Sequence, residues 1–432
     1  MLTKQTGKSH TQQTRTSLLR IMTAGNVDDG KSTLIGRLLL DSGSLPEDVI
    51  SSLQCLKKNE NEHFNLAFVT DGLKAERQQG ITIDVAYRYF STSKRKFIIA
   101  DTPGHAEFTR NMITAASVSD AAIILLDVVK GISLQTRRHV AIAALMGIKN
   151  IIVCINKMDL VQYQKNVFEK VVVNFKNSIS NKFCNTHFHF IPISALTGEN
   201  VIHSSPALSW FKGPTLMETL EGLTSDNEEE SILAGRFPVQ YVINAVNAEN
   251  TTYRAYAGRV AAGKFTKNQS IKLMPAGIKS SIKKIELRGA EFDVASAGMS
   301  VNITLTDDLE VSRGNILCSE EDLPTLTRTF KAKICWMSSL PLLRHQKFIL
   351  RHTTSETRCE IIDIKNKLNL ESFSSEESTS SLEMNDIGEI IIKTEEQIVA
   401  DVYSKIKETG CFILIDERTN STVAGGTITE FC

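Results

Sequence analysis

Residues Gly25 to Ser32 have the types and spacing that suit the binding of a nucleotide phosphate. They read glycine, four residues, Gly-Lys and then serine, which is the P-loop pattern. Gly25 and Gly30 allow backbone angles that other residues resist, and the turn can then aim successive N–H groups at a phosphate. Lys31 adds a point charge for the terminal phosphates, and the Ser32 hydroxyl can ligate Mg²⁺. A glycine-rich turn with a surface lysine is the alternative, but the strand-like stretch before the loop and the helical pattern after it favour a phosphate site.

Residues Asp101 to His105 follow another predicted strand and suit the same chemistry. The Asp101 carboxylate can reach Mg²⁺ through water, and Gly104 lets the backbone approach a γ-phosphate closely. Loss of that phosphate would release the loop, which would make it a switch. Thr82 could supply a second hydroxyl to Mg²⁺, although alone it would be an ordinary strand threonine.

His105 directly follows the loop that should sense the γ-phosphate. A lone histidine is usually structural or solvated, but at this place its ring could orient the water that attacks the phosphate. Phosphoryl transfer depends mainly on positioning and electrostatics, so an orienting group can carry much of the rate. We therefore predict that His105 takes part in hydrolysis.

The segment Asn156 to Asp159, with the sequence Asn-Lys-Met-Asp, follows an apolar strand and predicts which base is bound. An aspartate there can accept hydrogen bonds from the N1–H and the exocyclic amine of guanine, whereas adenine offers neither donor. A site built around such bonds rejects the analogue by roughly 10⁴-fold. Ser194 to Leu196 end the next strand, where backbone N–H groups could contact the guanine carbonyl. An Asx turn is the alternative, but the distance from the P-loop suits a nucleotide domain.

The composition is typical of a soluble globular protein with several domains. The chain has 432 residues, 42% hydrophobic and 23% charged, and its 49 basic residues equal its 49 acidic ones. The net charge of zero gives no overall field for nucleic acid, and we expect no nucleic-acid partner. Eight scattered cysteines without a Cys-x-x-Cys pair favour free thiols in a reducing compartment. The polar stretch 1–16 lacks a signal-peptide core and no apolar run reaches the ~20 residues of a membrane span, so we expect a disordered tail on a cytoplasmic protein without membrane contact.

Strand-like and helix-like stretches alternate between residues 17 and 226. Two strands joined by the short connector 92–95 predict a hairpin, and further strands and helices alternate up to a last helix near 215–223. This order predicts an α/β domain with a mostly parallel sheet covered on both faces. With the phosphate and guanine motifs described above, we expect it to be a P-loop GTPase domain. The acidic run 224–230 is typical of a solvated linker.

Beyond that linker the helical period disappears. Short apolar runs separated by glycine and asparagine turns predict two small antiparallel β-barrels, over 235–325 and 327–432. The second contains the stretch 372–381, rich in serine and glutamate, which we interpret as a flexible loop. The predicted organisation is therefore a tail over 1–16, a nucleotide domain over 17–226 and two barrel domains.

Together the nucleotide motifs resemble those of translational GTPases of the elongation factor Tu type. Longer blocks look more like the large, GTP-binding subunit of bacterial sulfate adenylyltransferase: DDGKSTLIGRLL at 28–39, DGLKAERQQGITIDVAYRYFST at 71–92, KFIIADTPGHAEFTRNM at 96–112, QTRRH at 135–139 and GPTLMETLE at 213–221. The stretch Asp84 and Tyr87 to Phe90 is more typical of that subunit than of elongation factors. The resemblance is strong over 18–223 and continues more weakly through 311–314 and 414–420.

This resemblance implies a G domain followed by two β-barrels, with GTP and Mg²⁺ as ligands. It also implies a small partner subunit, of the ATP-pyrophosphatase type, that makes adenylyl sulfate and pyrophosphate from ATP and sulfate. In that family GTP hydrolysis drives this unfavourable first step of sulfate activation. The chain has one P-loop and no second glycine-rich phosphate loop, so we expect the adenylyl chemistry in the partner. A fused adenylylsulfate kinase, which some members carry, is not expected because the chain ends at Cys432.

Residue by residue, the resemblance implies three sets of functional positions. Val27 and Ile81 match an apolar gate beside the catalytic histidine, His105. Ser32, Thr82 and Asp101 would ligate Mg²⁺. The nucleotide would contact the P-loop, the loop after the second motif strand and the base-recognition segments: Gly25, Asn26, Val27, Asp28, Asp29, Gly30, Lys31, Ser32, Thr33, Asp101, Thr102, Pro103, Gly104, His105, Asn156, Lys157, Met158, Asp159, Ser194, Ala195 and Leu196.

Two other functions use the same nucleotide motifs. An elongation-factor-like GTPase that delivers aminoacyl-tRNA would bind RNA with a steep salt dependence. The longer blocks argue against it, and the zero net charge adds a little. A signalling GTPase that acts only as a binding switch would show intrinsic turnover that no partner changes, and the paired barrels argue against it.

Overall fold

A six-stranded sheet forms the centre of the N-terminal part of the chain. The computed structural model describes residues 17–55, 66–69, 84–104, 109–224, 232–246, 252–377 and 379–432. The strands of the sheet are β1 (Ser17–Ala24), β2 (Ala86–Ser91), β3 (Arg95–Asp101), β4 (Ala121–Asp127), β5 (Asn150–Asn156) and β6 (His187–Pro192). They lie in the order β2-β3-β1-β4-β5-β6, all parallel except β2, which pairs with β3 as the predicted antiparallel hairpin.

Helices pack on both faces of this sheet. Those of the described residues are α1 (Lys31–Asp41), α2 (Glu47–Cys55), α3 (Thr109–Ser117), α4 (Leu134–Leu145), α5 (Lys165–Ser178) and α6 (Leu216–Gly222). Met22 of β1 belongs to the same buried cluster as Met112 of α3, whereas Ile21, on the opposite face, packs with Leu34 of α1. No helix within these ranges is long and apolar enough to cross a membrane. The mostly parallel sheet covered on both faces is thus confirmed, and it fixes the strand ends that carry the motifs.

The first of two antiparallel barrels follows. Its strands are β7 (Arg236–Val246), β8 (Thr252–Arg259), β9 (Lys264–Thr266), β10 (Ser270–Met274), β11 (Ile278–Leu287), β12 (Ala290–Phe292), β13 (Val294–Ser296), β14 (Ser300–Leu305) and β15 (Ile316–Ser319). Six of them pair in the order β10-β15-β7-β8-β14-β11, and β10 pairs with β11 to close the barrel. Closure removes the exposed edges that an open sheet would leave.

The second barrel has the same plan. Its strands are β16 (Thr325–Trp336), β17 (Leu342–Leu343), β18 (Lys347–His352), β19 (Ser355–Leu368), β20 (Ser375–Glu377), β21 (Ser381–Leu382), β22 (Ile387–Ala400), β23 (Cys411–Ile415) and β24 (Thr422–Phe431). Six of them pair in the order β18-β23-β24-β16-β22-β19, and β18 pairs with β19 to close the ring. The predicted two-barrel architecture is therefore confirmed. The tail 1–16 and most of the linker 224–230 lie outside the described residues, and the domain limits stay predictions.

The prediction of a flexible loop over 372–381 is wrong in its central part. Ser375–Glu377 forms β20 and pairs with the end of β19, and the Asn369 amide donates to Glu376 at 2.6 Å. The long strand β19 offers a free edge there, and the serine and glutamate side chains of β20 stay exposed to solvent. Polar composition therefore indicated the exposure of this segment but not its backbone pairing.

A buried ion pair joins the two barrels. Arg236 of β7 is fully buried, and its Nε and Nη2 donate to the two carboxylate oxygens of Asp401, each at 2.9 Å. The Thr409 hydroxyl donates to the same carboxylate at 2.7 Å. Bidentate pairs of this kind are among the strongest polar contacts in proteins and fix the relative orientation of the two groups.

We expect Asp401→Ala to lower the free energy of unfolding by about 3–5 kcal/mol, because it leaves the buried Arg236 charge with only the exposed Asp322 carboxylate, 3.9 Å away. Urea denaturation of the full chain, followed by fluorescence, measures the loss. Asp308→Ala is the matched control: Asp308 pairs with Arg254 but is 86% exposed, and such a pair is worth less than about 1 kcal/mol. Equal effects of the two substitutions would contradict the role given to the buried pair.

The second barrel also contacts the nucleotide-domain helices. The Tyr403 hydroxyl donates to the Met146 carbonyl just after α4 at 2.7 Å, and Arg137 of α4 donates to the Glu371 carbonyl at 3.0 Å. The Phe183 and Phe373 rings meet edge to face with centroids 5.2 Å apart. Helix α4 is thereby connected to the second barrel at both of its ends.

Candidate nucleotide-binding site

The predicted motifs lie together at the carboxyl edge of the parallel sheet. The P-loop follows β1, Asp101 ends β3, Asn156 ends β5, and Ser194 comes shortly after β6. Thr23 of β1 stands beside Asp101 in the register, and Asp127 of β4 beside Asn156. Ligands of open α/β sheets bind at this edge. The sheet therefore collects in one place residues that are far apart in the sequence.

The P-loop turn is held by bonds between its own residues. The Asn26 N–H donates to the Asp29 carboxylate at 2.9 Å, and the Asp29 N–H donates to the Asn26 carbonyl at 3.2 Å. Gly30 precedes α1 with φ of 93°, and a Cβ there would lie 2.4 Å from the Asn156 amide nitrogen. Only glycine fits that angle and that space. The first N–H groups of α1, which have no acceptor within the helix, then open toward a bound anion.

Burial raises the pKa of Asp29 to about 6, although its bond from the Asn26 N–H opposes the shift. Between its unfolded value of 3.8 and about 6, the folded chain binds a proton that the unfolded chain has released. The contribution of this group to stability therefore falls as the pH rises through that window. The carboxylate needed by the P-loop turn is thus held at some cost in stability near neutral pH.

Lys31 and Asp101 meet at the centre of the site. The Lys31 ammonium lies 2.9 Å from Asp101 Oδ1, and the two side chains are 8% and 2% exposed. The ammonium also donates to the Thr102 carbonyl, while the Thr102 hydroxyl donates to the Thr23 carbonyl at 2.6 Å. The cation predicted to bind phosphate and the carboxylate predicted to bind a metal ion therefore both lie beside the P-loop.

The loop after β3 touches the P-loop backbone. A Cβ on Gly104 would lie 2.7 Å from the Gly25 carbonyl oxygen, so any larger residue would push the two loops apart. This close approach is what a loop that senses the terminal phosphate requires. Ile81, Thr82 and His105 lie outside the described residues, and their roles stay predictions.

The donors present fit Mg²⁺ in part. Ser32 at the start of α1 and Asp101 supply oxygen atoms, which Mg²⁺ prefers. In the part of the chain that is described, no three His, Cys, Asp or Glu side chains come together to hold a metal ion. A magnesium ion would thus take its remaining ligands from phosphate and water, as is usual for nucleotide-bound Mg²⁺.

Asn156 connects the P-loop to the loop after β6, which we name the base loop because the sequence predicts base recognition there. Its amide nitrogen donates to the Asp29 carbonyl at 2.8 Å, and its amide oxygen accepts from the Ala195 N–H at 2.9 Å. The side chain is buried. Both of its polar atoms therefore serve backbone groups of two loops and hold those loops at a fixed separation.

Removing that side chain should loosen both loops. We expect Asn156→Ala to lower the free energy of unfolding by about 2–4 kcal/mol, since it leaves a buried N–H and a buried carbonyl without partners. GTP affinity should fall as well, because the P-loop and the base loop are no longer held at a fixed separation. Thermal melting and titration with a fluorescent GTP analogue check the two effects. Asn244→Ala, at an exposed position in β7, serves as the control, and a variant that melts and binds like it would contradict this role.

Lys157 and Asp159 are oriented on the base side. Lys157 has φ of 64° and its ammonium lies 2.9 Å from Asp127. Burial alone would raise the pKa of Asp127, but Lys157 and two backbone N–H groups lower it below its ordinary value. Asp159 is partly exposed, and one of its oxygens accepts from the Ser194 hydroxyl at 2.6 Å. Its carboxylate is therefore fixed in direction and still reachable by a ligand.

Arg37 of α1 is a supporting residue that sequence reasoning missed. Its Nε donates to the Ala195 carbonyl at 3.3 Å and its Nη2 to the Leu196 carbonyl at 2.5 Å. The arginine thereby holds the base loop from the helix that starts at the P-loop. Nothing local in the sequence marks it, since it looks like an ordinary polar position on an amphipathic helix.

Comparisons with known proteins agree with this geometry. The family model for the elongation factor Tu GTP binding domain matches residues 16–226, and the model for the GTP-eEF1A C-terminal domain-like family matches residues 329–429. Sulfate adenylyltransferase subunit 1 of Photorhabdus laumondii is 41% identical over 98% of this chain and 87% of its own length. The same-named protein of Bacteroides fragilis is 42% identical over 96% of this chain and 86% of its own length.

A longer relative carries the same region. The bifunctional enzyme NodQ of a Rhizobium species is 43% identical over 96% of this chain, which spans 64% of that protein. The P-loop at the sheet edge, the matched GTP-binding domain and these full-length relatives lead to one conclusion: the chain belongs to the sulfate adenylyltransferase subunit 1 family, within the GTPases of the elongation factor Tu type.

Proposed function

We propose that this chain is the GTP-hydrolysing subunit of a sulfate adenylyltransferase. GTP hydrolysis here drives the formation of adenylyl sulfate and pyrophosphate from ATP and sulfate, which a smaller catalytic subunit of the ATP-pyrophosphatase type carries out. The observation that carries the proposal is the assembly of all described nucleotide motifs at one sheet edge in a chain about 41% identical to subunit 1 proteins over nearly its whole length.

In this proposal the phosphates lie at the start of α1. The backbone of Gly25 to Thr33 surrounds them, and Lys31 moves from its contact with Asp101 to the terminal phosphates. Ser32 and Asp101, with Thr82, would hold Mg²⁺, which when bound neutralises phosphate charge and orients the γ-phosphate. The ion pair of Lys31 with Asp101 at 2.9 Å supports this assignment because it places both charges beside the P-loop.

Guanine lies on the other side of Asn156. The Asp159 carboxylate accepts from N1–H and the exocyclic amine, with Lys157 and Met158 beside the ring and Ser194 to Leu196 beneath the base carbonyl. The bond from Ser194 to Asp159 at 2.6 Å supports this arrangement because it directs the carboxylate. Preorganised groups of this kind give selectivity because a wrong base would leave them without partners.

His105 is the residue we propose for hydrolysis, with Val27 and Ile81 as the apolar gate beside it. We expect His105→Ala to keep GTP affinity and to lower the rate of phosphate release by on the order of 10²-fold or more. The reason is that the ring orients water without holding the nucleotide. His203→Ala, at an exposed position far along the chain, is the control. Equal turnover of the His105 variant and the control would contradict the proposed role of His105 in hydrolysis.

We further propose that the chain works in a reducing, cytoplasmic setting as three domains with the limits 17–226, 235–325 and 327–432. The seven cysteines whose side chains are described are all free thiols, which supports the reducing compartment. The closed strand rings of β10-β15-β7-β8-β14-β11 and β18-β23-β24-β16-β22-β19 support the two C-terminal units.

Pyrophosphate release from ATP and sulfate tests the proposed function. The chain is co-expressed with its small subunit, and release is measured with GTP, with GDP and without nucleotide. Release that depends on GTP supports the proposal. An active small subunit that ignores GTP would contradict it, and RNA binding with a steep salt dependence would then favour an aminoacyl-tRNA carrier.

A further inference from the structure

Strand β2 forms one edge of the central sheet within the described ranges. Backbone groups of an antiparallel strand point alternately to its two sides. The Thr92 N–H donates to the Arg95 carbonyl at 2.8 Å, which marks these two residues as a hydrogen-bonded pair. Every second residue of β2, counted back from Thr92, therefore bonds to β3. The N–H and C=O groups of Tyr87 and Tyr89, which lie between those residues, point away from β3. The outer side of β2 therefore offers backbone donors and acceptors to an added strand.

An open cavity lies beside this edge. It has a volume of about 210 Å³, and its walls include Tyr87, Tyr89, Ile98, Ala100, Val118 and Arg20. A cavity of roughly 150 Å³ with apolar walls can hold benzene. The cavity beside β2 is therefore large enough for one aromatic or leucine side chain.

The rim of the cavity is aromatic and exposed. Tyr89 is 66% exposed, Tyr87 is 42% exposed, and Val118 just after α3 is 50% exposed. Exposed apolar groups that cluster around a pocket mark interaction sites more often than scattered ones. Tyrosine is also enriched among the residues that carry most of the energy of protein interfaces. The Tyr87 to Phe90 stretch, which is not part of the nucleotide site, is thus a candidate for binding a partner.

The charge on this face has one sign. The same-face residues of the three strands are Leu18, Arg20 and Met22, then Tyr87, Tyr89 and Ser91, then Lys96, Ile98 and Ala100. They include two cations and no carboxylate. The nearby Asp120 carboxylate is buried and accepts from the Arg20 N–H at 2.7 Å. An occupant with a carboxylate next to its apolar anchor would therefore match this face.

The cavity also lies next to the nucleotide site without being part of it. Ala100, in its wall, precedes Asp101, and Tyr87 stands opposite Ala100 in the register. A segment bound along β2 would thus be separated from β3, the strand that ends at Asp101, by β2 alone. Such a contact can bias the position of Asp101 and connect the two sites.

We propose that the open edge of β2 and its cavity are a docking site for the smaller subunit. That subunit lays an extended segment along β2 and inserts one aromatic or leucine side chain between Tyr87, Tyr89 and Val118. A carboxylate of the segment lies near Arg20 or Lys96. The proposal rests on the proposed function, because the partner is taken from it.

Photocrosslinking in the co-expressed complex tests where the partner lies. The crosslinking amino acid p-benzoylphenylalanine replaces Tyr89 or, as a control, Tyr241, which is 68% exposed in the first barrel. We expect Tyr89→p-benzoylphenylalanine to give a covalent adduct with the small subunit and the control to give none. An adduct only with a second copy of this chain, or no adduct at position 89, would overturn the proposal.

Affinity measurements keep the proposal separate from the proposed function. We expect Tyr89→Ala to weaken binding of the small subunit by about 30-fold or more, and Tyr89→Phe by less than about 3-fold. Basal GTP hydrolysis and the melting temperature should not change, and Tyr241→Ala should bind like the unmodified chain. If Tyr89→Ala binds as tightly as the unmodified chain while GTP still drives pyrophosphate release, only the docking site is wrong. If the unmodified complex shows no GTP-driven release, the proposed function is wrong, and if its subunits do not bind, both are.

Discussion

Replacing Lys31 with alanine should nearly abolish GTP-driven pyrophosphate release. We expect a loss of about 10²–10³-fold in turnover, the size usually seen when one preorganised donor to a developing charge is removed. Lys31 is buried beside Asp101 at the start of α1, so no other described lysine takes that position. In the proposed function the small subunit has its own ATP site, so its basal activity should not change.

Stability must be separated from chemistry in this variant. Lys31→Ala leaves the buried Asp101 carboxylate without its cation, which can cost about 3–5 kcal/mol. The double variant Lys31→Ala with Asp101→Asn removes both charges and should recover most of that loss. It should stay inactive, because neither the phosphate nor the metal ion regains its ligand. Activity that returned together with stability would show that Lys31 matters only for the fold.

Both activities are measured on the same preparations, so that the variants can be compared directly. Phosphate release from GTP and pyrophosphate release from ATP are followed for the unmodified chain, the single variant and the double variant. Lys212→Ala is the matched control, since Lys212 is an exposed lysine in the loop before α6 of the same predicted domain. It should behave like the unmodified chain in both assays.

Asp159→Asn should change the base that the chain accepts. The amide keeps an oxygen for the N1–H of the base, but it presents an amine to the position where guanine also carries an amine. Xanthine has a carbonyl there, so the substituted site suits xanthosine triphosphate. We expect GTP affinity to fall by on the order of 10³-fold and xanthosine triphosphate to bind better than GTP.

The surroundings of Asp159 make this a clean substitution. Asparagine has nearly the same shape, and the Ser194 hydroxyl that donates to the Asp159 oxygen at 2.6 Å can donate to the amide oxygen instead. Titration with both nucleotides, and melting with and without each, measures the change. Asp308→Asn, at an exposed position in the first barrel, should leave the GTP preference intact. Unchanged preference in Asp159→Asn would mean that the base is recognised elsewhere.

The nucleotide motifs were predictable because their physics is local. A strand, a glycine-lysine loop and a helix occupy about 25 consecutive residues, and the turn at Gly30 needs its positive φ whatever the rest of the chain does. The gathering of Asp101 and Asn156 at one edge followed from the rule for parallel strands. The first-domain helices and strands alternate clearly enough to give the fold class.

What the sequence did not reveal depends on contacts between distant residues. Arg37 supports the loop at Ala195 from another element, and no spacing in the chain marks that contact. Asn156 is part of a recognisable motif, yet the engagement of both its polar atoms by backbone groups is visible only in three dimensions.

Strand β24 is difficult to predict from the sequence for a different reason. Its sequence contains Gly425-Gly426, which disfavours a strand prediction, but a Cβ on Gly426 would lie 2.5 Å from the Phe412 ring. Glycine is present there because the barrel core leaves no space for a side chain. Such a packing demand comes from the neighbouring strand and cannot be read from the local pattern.

The most direct test moves the energy source from one nucleotide to another. The complex of Asp159→Asn with the small subunit is given ATP and sulfate, together with either GTP or xanthosine triphosphate, and pyrophosphate release is measured. If hydrolysis at this P-loop drives the synthesis, xanthosine triphosphate will drive release in the variant and GTP will do so only in the unmodified complex. Release that still follows GTP in the variant, or that follows neither nucleotide while the small subunit stays active, would contradict the proposed coupling.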